Sequence, residues 1–459
     1  MAIGKRSGNQ DDLFVARSSM PRSAGHPFYV ALDRELRTAG FDGYVEELCG
    51  RFYHASLGRP GLAPGVYFRC LLVGYFEGID SERGIAWRMT DSLSLREFLG
   101  LAMAESPPDH STISRTRRLI DVETHQAVFR WVLQRLAQEG LLKGKTLGVD
   151  STTLEANAAL RSIVRRDDFR GYQEFLTDLA KASGIPTPTR EDLARIDRKR
   201  KKKGSNKDWV NPHDPDAQIT KMKDGSTHIG HKQEHAVDMD SGAVVAVTLH
   251  GGAEGDTSTV EKTLDAADEN LKKARKLGDK SKTRDSAEEA VGDKGYHSKA
   301  VMLALALAGR RSYVSEPARP RQHWEGEEAE RDAVYANRRR KKGARGQRLM
   351  RKRGELIERS FAHTLETGGM RRTHLRFHYN IAKRMLIHVA GFNLGLLMRK
   401  RFGVGTPRGL QGRLAAAIAA CAVLLDLIRE LLGGAGRSEP VEQREEINLG
   451  WRAPELMAA

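Results

Sequence analysis

The chain has 459 residues, with 76 lysines and arginines against 60 aspartates and glutamates and a formal net charge of +16. That length implies two or three domains, and three widely spaced cysteines (Cys49, Cys70, Cys421) exclude both a disulfide framework and a zinc site, pointing to a reducing cytoplasm. The excess positive charge favours a polyanionic partner, nucleic acid ahead of a membrane surface.

Residues 1 to about 25 are expected to form a flexible arm, in which Lys5 and Arg6 are followed by no apolar stretch of the secretory kind. From 26 to 140, apolar residues recur at three- and four-residue spacing, as at Val66, Leu71, Leu72 and Tyr75, then Leu93, Phe98 and Leu101. This spacing predicts an all-α N-terminal domain. Pro107-Pro108 stops one helix, and Asp109 is placed to cap the next, from His110 to Ile120. That helix opens on hydroxyls and then carries Arg115, Arg117 and Arg118, which suits phosphate contact or entry into a major groove. An ordinary solvated basic helix has the same composition.

The second region, about 141 to 400, opens on the apolar strand Thr146 to Asp150. A long interruption follows, about 154 to 230, with much charge and no alternation. It includes the run Arg198 to Lys203 and then Trp209, which either hold a phosphate backbone or form a solvated helix end or loop. A hairpin is predicted from His235 to Leu249, turning at Ser241-Gly242. Next come a helix from about Thr257 to Leu277, a strand ending at Asp293, a helix from Ser298 to Ala308 and a strand from Arg311 to Val314. Ser315 to Arg348 is polar and predicted irregular. From Leu349 the chain is helical, with Ile357, Phe361 and Leu365 as a core stripe, Glu358 at its edge, and Gly368-Gly369 as the stop. Residues 401 to 459 hold a C-terminal helix and tail. The charges Asp426, Arg429 and Glu430 share one side of Leu414 to Leu432, which predicts a packed amphipathic helix in a soluble protein. This order predicts an α/β fold, a mixed sheet flanked by helices as in the ribonuclease H architecture, with Asp150 on the first central strand and Asp293 on the strand beside it.

Two strand-end aspartates and a helical glutamate, Asp150, Asp293 and Glu358, are the carboxylates such a fold would bring together. Three carboxylates in one cleft repel one another unless cations neutralise them. Hard oxygen ligands select Mg2+ or Mn2+ over zinc, and two such ions suit in-line displacement at phosphorus. Spacing alone does not separate Glu358 from Glu355, and a lone strand-end aspartate is more often a turn-former. The run His228, His231, Glu234 and His235 looks like a ligand set, but side chains alternate along a strand, so hydrogen bonding or a DNA-facing surface is expected instead. No glycine-rich loop ending in Gly-Lys-Ser/Thr follows a strand, which excludes a P-loop nucleotide site.

Several runs resemble the DDE-class insertion-sequence transposases. Gly58-Arg59-Pro60 through Asp80-Ser81-Glu82-Arg83 to Pro108-Asp109-His110-Ser111-Thr112 is similar to that family's N-terminal helical domain. Val149-Asp150-Ser151-Thr152 resembles its first catalytic motif, Lys221 to Asp238 the segment before the second strand, and Asp293-Lys294-Gly295-Tyr296 the second motif. Glu358-Arg359-Ser360-Phe361, with Gly369 to Arg372 and Leu375-Arg376, resembles the third, and maps the catalytic glutamate onto Glu358. A related signature, with arginine four before the glutamate and lysine seven after it, is not met, since Gly354 and Leu365 stand there. The family often has glycine after the Leu-Arg pair, where this chain has Phe377.

The resemblance implies a transposase that binds terminal inverted repeats, cleaves DNA ends and joins them to a target. It implies two Mg2+ or Mn2+ ions on Asp150, Asp293 and Glu358, and a homodimer on paired double-stranded DNA ends at the nucleoid. Lys294, Arg353, Arg371 and Arg372 are the expected phosphate contacts. The alternatives are an inactive DNA-binding derivative acting as a repressor, and a stand-alone nuclease on the same fold.

Overall fold

The computed structural model describes residues 25–410, apart from 55–57, 59, 103, 201–203, 223–224, 277–281, 319 and 321, together with 417, 421, 423–425 and 428. Nearly all of the expected N-terminal arm, Lys201–Lys203 of the basic run and most of the expected helix from Leu414 to Leu432 lie outside the described residues.

Among the described residues, seven α-helices come first: α1 (Pro27–Thr38), α2 (Phe41–Cys49), α3 (Pro64–Glu77), α4 (Glu82–Thr90), α5 (Leu93–Phe98), α6 (His110–Leu119) and α7 (Val122–Gln138). Their starts follow local chemistry. Pro27 and Pro64 occupy first-turn positions that need no amide donor. The side chains of Ser81, Ser92, Asp109 and Asp121 accept from the free amides of α4, α5, α6 and α7. α3 is buried along almost its whole length and carries Arg69 into the core, where Asp33 and Asp42 pair with it at 2.7 and 2.8 Å.

After them come β1 (Thr146–Glu155), β2 (Val164–Arg165), α8 (Tyr172–Ala182), α9 (Arg190–Lys199), β3 (Trp209–Val210), β4 (Gln218–Lys221), β5 (Thr227–Asp238), β6 (Val244–Gly251) and α10 (Asp256–Lys276). Then follow β7 (Glu289–Gly292), α11 (Lys299–Leu307), β8 (Arg311–Val314), α12 (Glu328–Lys342), α13 (Ala344–Phe361) and α14 (His378–Phe402). The main sheet runs β4-β5-β1-β7-β8, with β6 also on β5. β1, β5 and β6 form an antiparallel meander, while β7 and β8 lie parallel to β1. The sheet is therefore mixed, with β1 at its centre and the strand that leads into Asp293 beside it.

β1 is longer than its apolar stretch suggests. It continues through Ser151-Thr152-Thr153 to Glu155 because β5 pairs with it residue by residue, from Leu147↔Asp238 to Glu155↔Gly230. The expected interruption is thus shorter at both ends. It holds α8, α9 and the two-stranded β2–β3 sheet, where Trp209 is buried in a small core of its own with Ile163 and Ile229. The stretch predicted as irregular before Arg348 contains α12, anchored by buried Ala333, Val334 and Asn337.

α10 packs on one face of the sheet, and α13 and α14 pack on the other. The helical stretch His378–Leu410, which contains α14, is long and apolar enough to cross a membrane by length and composition, but 89% of its most apolar window is buried inside the protein. It packs against α7, α3 and β6, and Asn393 pairs with both backbone groups of Val244. A single apolar core runs from Phe28 in α1 through the sheet to Phe402 in α14.

Candidate active site

Asp150 and Asp293 come together because their strands do. Gly148 pairs with Val291 in parallel register, so two residues further on Asp150, in the middle of β1, lies beside Asp293, just past the end of β7. By the two-residue alternation of a strand, Gly148 and Asp150 face the same side, towards α13. Gly148 makes that approach close: a Cβ there would sit 3.0 Å from the Ile357 side chain of α13 and 2.5 Å from the Met239 sulfur.

From α13, Arg353 reaches both acids. Its guanidinium lies 2.7 Å from the Asp150 carboxylate and 3.9 Å from that of Asp293. The other oxygen of each acid is held by a nearby backbone amide: Ser151, next along β1, donates to Asp150 at 2.8 Å, and Gly295, in the following turn, to Asp293 at 2.8 Å. The acids stay partly open, with side chains 28% and 41% exposed, while Arg353 is 11% exposed. The result is a pair of half-solvated carboxylates with one nearly buried positive charge between them.

Glu358 does not join the pair. Its side chain is exposed, and five residues on from Arg353 in a regular helix it points about 140° around the axis. Glu355 is exposed too, and pairs with Arg359 at 2.6 Å. Among the described residues, no group of three histidine, cysteine, aspartate or glutamate side chains is arranged to hold a metal ion.

The expected phosphate contacts divide in the same way. Lys294 is exposed on the turn after Asp293. Arg371 pairs with Glu366, and Arg372 lies 3.6 Å from Glu155. Both therefore sit at the far end of β1, about 17 Å along the strand from Asp150. On α6, Arg115 and Arg118 are exposed, but Arg117 is buried, with its guanidinium 3.0 Å from Glu82 and 3.1 Å from Ser114. Arg117 ties α6 to α4 and is not available to a ligand.

The histidine-rich run of β5 makes hydrogen bonds. His231 lies between Asp214 at 3.2 Å and His378 at 3.0 Å. His235, opposite Asp150 in register, bonds to Ser360 at 2.9 Å and stacks on Phe361. Burial pushes its imidazole down to about 3. Glu234 faces α10, where Thr259 donates to it at 3.0 Å and Thr263 also bonds to it, and Tyr296, on the turn after β7, donates to it at 2.7 Å. Burial raises its carboxyl above the ordinary range even so.

Sequence reasoning missed one further acid. Asp256, at the first turn of α10, bonds to Ser151 at 2.8 Å and to Lys232 at 2.6 Å. A Cβ on Gly295 would lie 2.4 Å from the Asp256 carboxylate and 3.1 Å from that of Asp293, so this glycine lets the two acids share one turn. The available signal was an acid opening a helix directly after a valine-rich strand.

With this geometry in view, one comparison bears on the chain. The family described as Transposase domain (DUF772) matches residues 28–119, which cover α1 almost from its start through α6. No curated protein and no solved structure matches. The match supports a transposase, and hence a DNA-processing enzyme in general terms. The strands carrying Asp150 and Asp293 lie outside it.

Proposed function

We propose that the chain is a DDE-class transposase with a ribonuclease H-like catalytic domain, cutting the ends of its own mobile element and joining them to a target. The carrying observation is the pairing of Asp150 and Asp293 on adjacent parallel strands with a cationic group drawn between them. The strand order, an antiparallel meander followed by two strands parallel to the first, supports the ribonuclease H-like reading.

The donor chemistry suits a hard divalent cation. Two carboxylates face one position, and Arg353 already supplies positive charge there. Asp150 and Asp293 would hold Mg2+ or Mn2+. When bound, the ions would activate the attacking oxygen and stabilise the leaving one. Arg353 must give up its contact with Asp150 for an ion to enter, and is then free to meet a phosphate. Glu358 is the proposed third ligand for a two-ion site, which requires its side chain to turn in towards the pair on binding DNA and metal. The ends would be terminal inverted repeats, held by a homodimer in a synaptic complex at the nucleoid.

A second reading has its own observation. Glu358 stands exposed and apart, the state expected of a DNA-binding derivative that no longer cuts.

The test is Mg2+-dependent nicking of DNA carrying the element's ends. Asp150→Asn and Asp293→Asn should each lower the rate by about 10³-fold or more, ~4 kcal/mol of barrier, with DNA affinity largely kept. Glu358→Gln should do the same. Full nicking by Glu358→Gln together with loss in Glu355→Gln would transfer the third role to Glu355. No nicking by the wild-type protein with either Mg2+ or Mn2+ would favour the inactive derivative.

A further inference from the structure

Between Arg338 and Arg353 the chain carries ten arginines and lysines and no acid. The structure folds this run into the end of α12 and the first half of α13, at the β8 edge of the sheet. Four of the ten have partners: Arg338 with Glu316, Arg340 with Ser312, Arg345 with Glu289 and Arg353 with Asp150. The other six, Arg339, Lys341, Lys342, Arg348, Arg351 and Lys352, make no ion pair within 4 Å among the described residues.

Two features show that this is more than a solvated charge run. First, the positions are held. Asn337 donates to the Val314 carbonyl and accepts from its amide, both at 2.8 Å, so α12 caps the open edge of β8 and cannot slide along it. The Arg345–Glu289 pair fixes the start of α13 in the same way, and the buried Glu289 also accepts from Thr146 on β1 at 2.5 Å. Second, the held cations border a concave surface. An open cleft of about 550 Å3 is lined by Val314, Arg338, Lys341, Lys342 and Gln347, with Glu316 its one acid, already paired to Arg338. Val314 is in register with Gly292, the residue before Asp293, so this cleft opens beside the acid pair.

The cations continue from the cleft towards the site. Arg348, Arg351 and Lys352 share the outward face of α13, and Arg353, next in sequence, is the residue that touches Asp150. From Ala344 to Arg353 is about 14 Å of helix, the rise of about four base pairs. The family-matched helices lie on the other side: α6 packs on α4 and α14, and α14 packs on β6, at the opposite edge of the sheet from β8.

We propose that the outward faces of α12 and α13 seat the phosphate backbone of duplex DNA on the β8 side of Asp150 and Asp293, a separate segment from any held by the N-terminal helices. This rests on the transposase reading for its placement of the cut between the two segments. It requires only charge and shape for the contact itself.

The test compares two charge-matched variants, both altered only at exposed positions and checked for unchanged melting. One is Lys342→Gln/Arg348→Gln/Arg351→Gln. The other is Lys272→Gln/Lys273→Gln/Arg275→Gln on α10, which covers the opposite face. Binding to a labelled random-sequence DNA duplex is followed by anisotropy across a salt series. Each lost phosphate contact should flatten the plot of log affinity against log salt by about 0.9. The α13 variant should therefore lose about 2 to 3 from the slope, and the α10 variant less than about 1. Equal losses in both variants, or none in the α13 variant, would overturn the proposal. So would an α13 variant that weakens binding to single-stranded RNA while leaving the duplex untouched. Nicking by the wild-type protein is scored separately: a slope change without any nicking keeps the surface and rejects the transposase reading, and nicking without a slope change does the reverse.

Discussion

Asp150 and Glu234 are diagonal neighbours on β1 and β5, on opposite faces of the sheet, and the protein treats them in opposite ways. Glu234 is fully buried and bonds to Thr259, Thr263 and Tyr296, with Lys232 3.8 Å away. Asp150 is 28% exposed and meets the Arg353 guanidinium and the amide of its own neighbour among its partners. A buried carboxylate with both oxygens hydrogen-bonded serves to hold strand and helix together. A half-exposed one beside a second acid, with the Arg353 guanidinium near both, is open to a ligand from solvent, and on the proposed reading it would exchange that guanidinium for a metal ion. Being acidic and on a central strand does not distinguish the two settings; the partners do.

Glu234→Ala probes the structural side and should have the largest effect on stability, about 3 kcal/mol by urea unfolding, because it leaves three buried hydroxyls without their carboxylate acceptor. A loss below about 1 kcal/mol would show that those hydroxyls repair themselves, and would erase the contrast with Asp150.

Acid should expose the buried side next. Burial pushes His125, His235 and His388 down to about 3, so each stays neutral in the fold and takes a proton in the unfolded chain below its ordinary 6.5. Stability present above pH 6.5 is then lost as the pH falls towards 3, by about 1.4 kcal/mol per pH unit for each histidine. His235→Asn should flatten the measured slope by one proton's worth, and an unchanged slope would mean that His235 titrates normally.

Much of this was legible in the sequence. The strand into Asp293 is a short apolar run closed by a turn and Arg311–Val314 a short run ending in Tyr313 and Val314, and both form as expected. α12 was hidden because its basic run shows no apolar stripe, and few buried residues anchor it. The polar half of β1 was hidden because partners on β5, about eighty residues away, specify it. Burial of Arg117 depends on Glu82, 35 residues earlier, which local pattern does not reveal. Asp293 could be picked out from its strand end, whereas Asp150 ends only the apolar part of a strand that continues five residues beyond it. The position of Glu358 on α13 could not, since the helix begins earlier than the apolar stripe shows and the side chain faces solvent.

The smallest effect concerns Phe377, where the resembled family often has glycine. Its φ is +67, in the region that favours glycine, and its ring stacks on Tyr379 with centroids 5.8 Å apart. Phe377→Gly should stabilise the protein by about 1 kcal/mol, the relieved backbone strain exceeding the lost stacking. A destabilised variant would assign the ring a larger packing role.

Manganese binding, read from the paramagnetic signal of the free ion, tests most directly whether Asp150 and Asp293 serve one cation. Asp150→Asn and Asp293→Asn should each weaken the same binding event about tenfold or more, ~1.4 kcal/mol. The double variant should be little worse than either, and Arg353→Gln should bind more tightly than wild type. Independent additive losses, or wild-type binding in both single variants, would contradict a shared site.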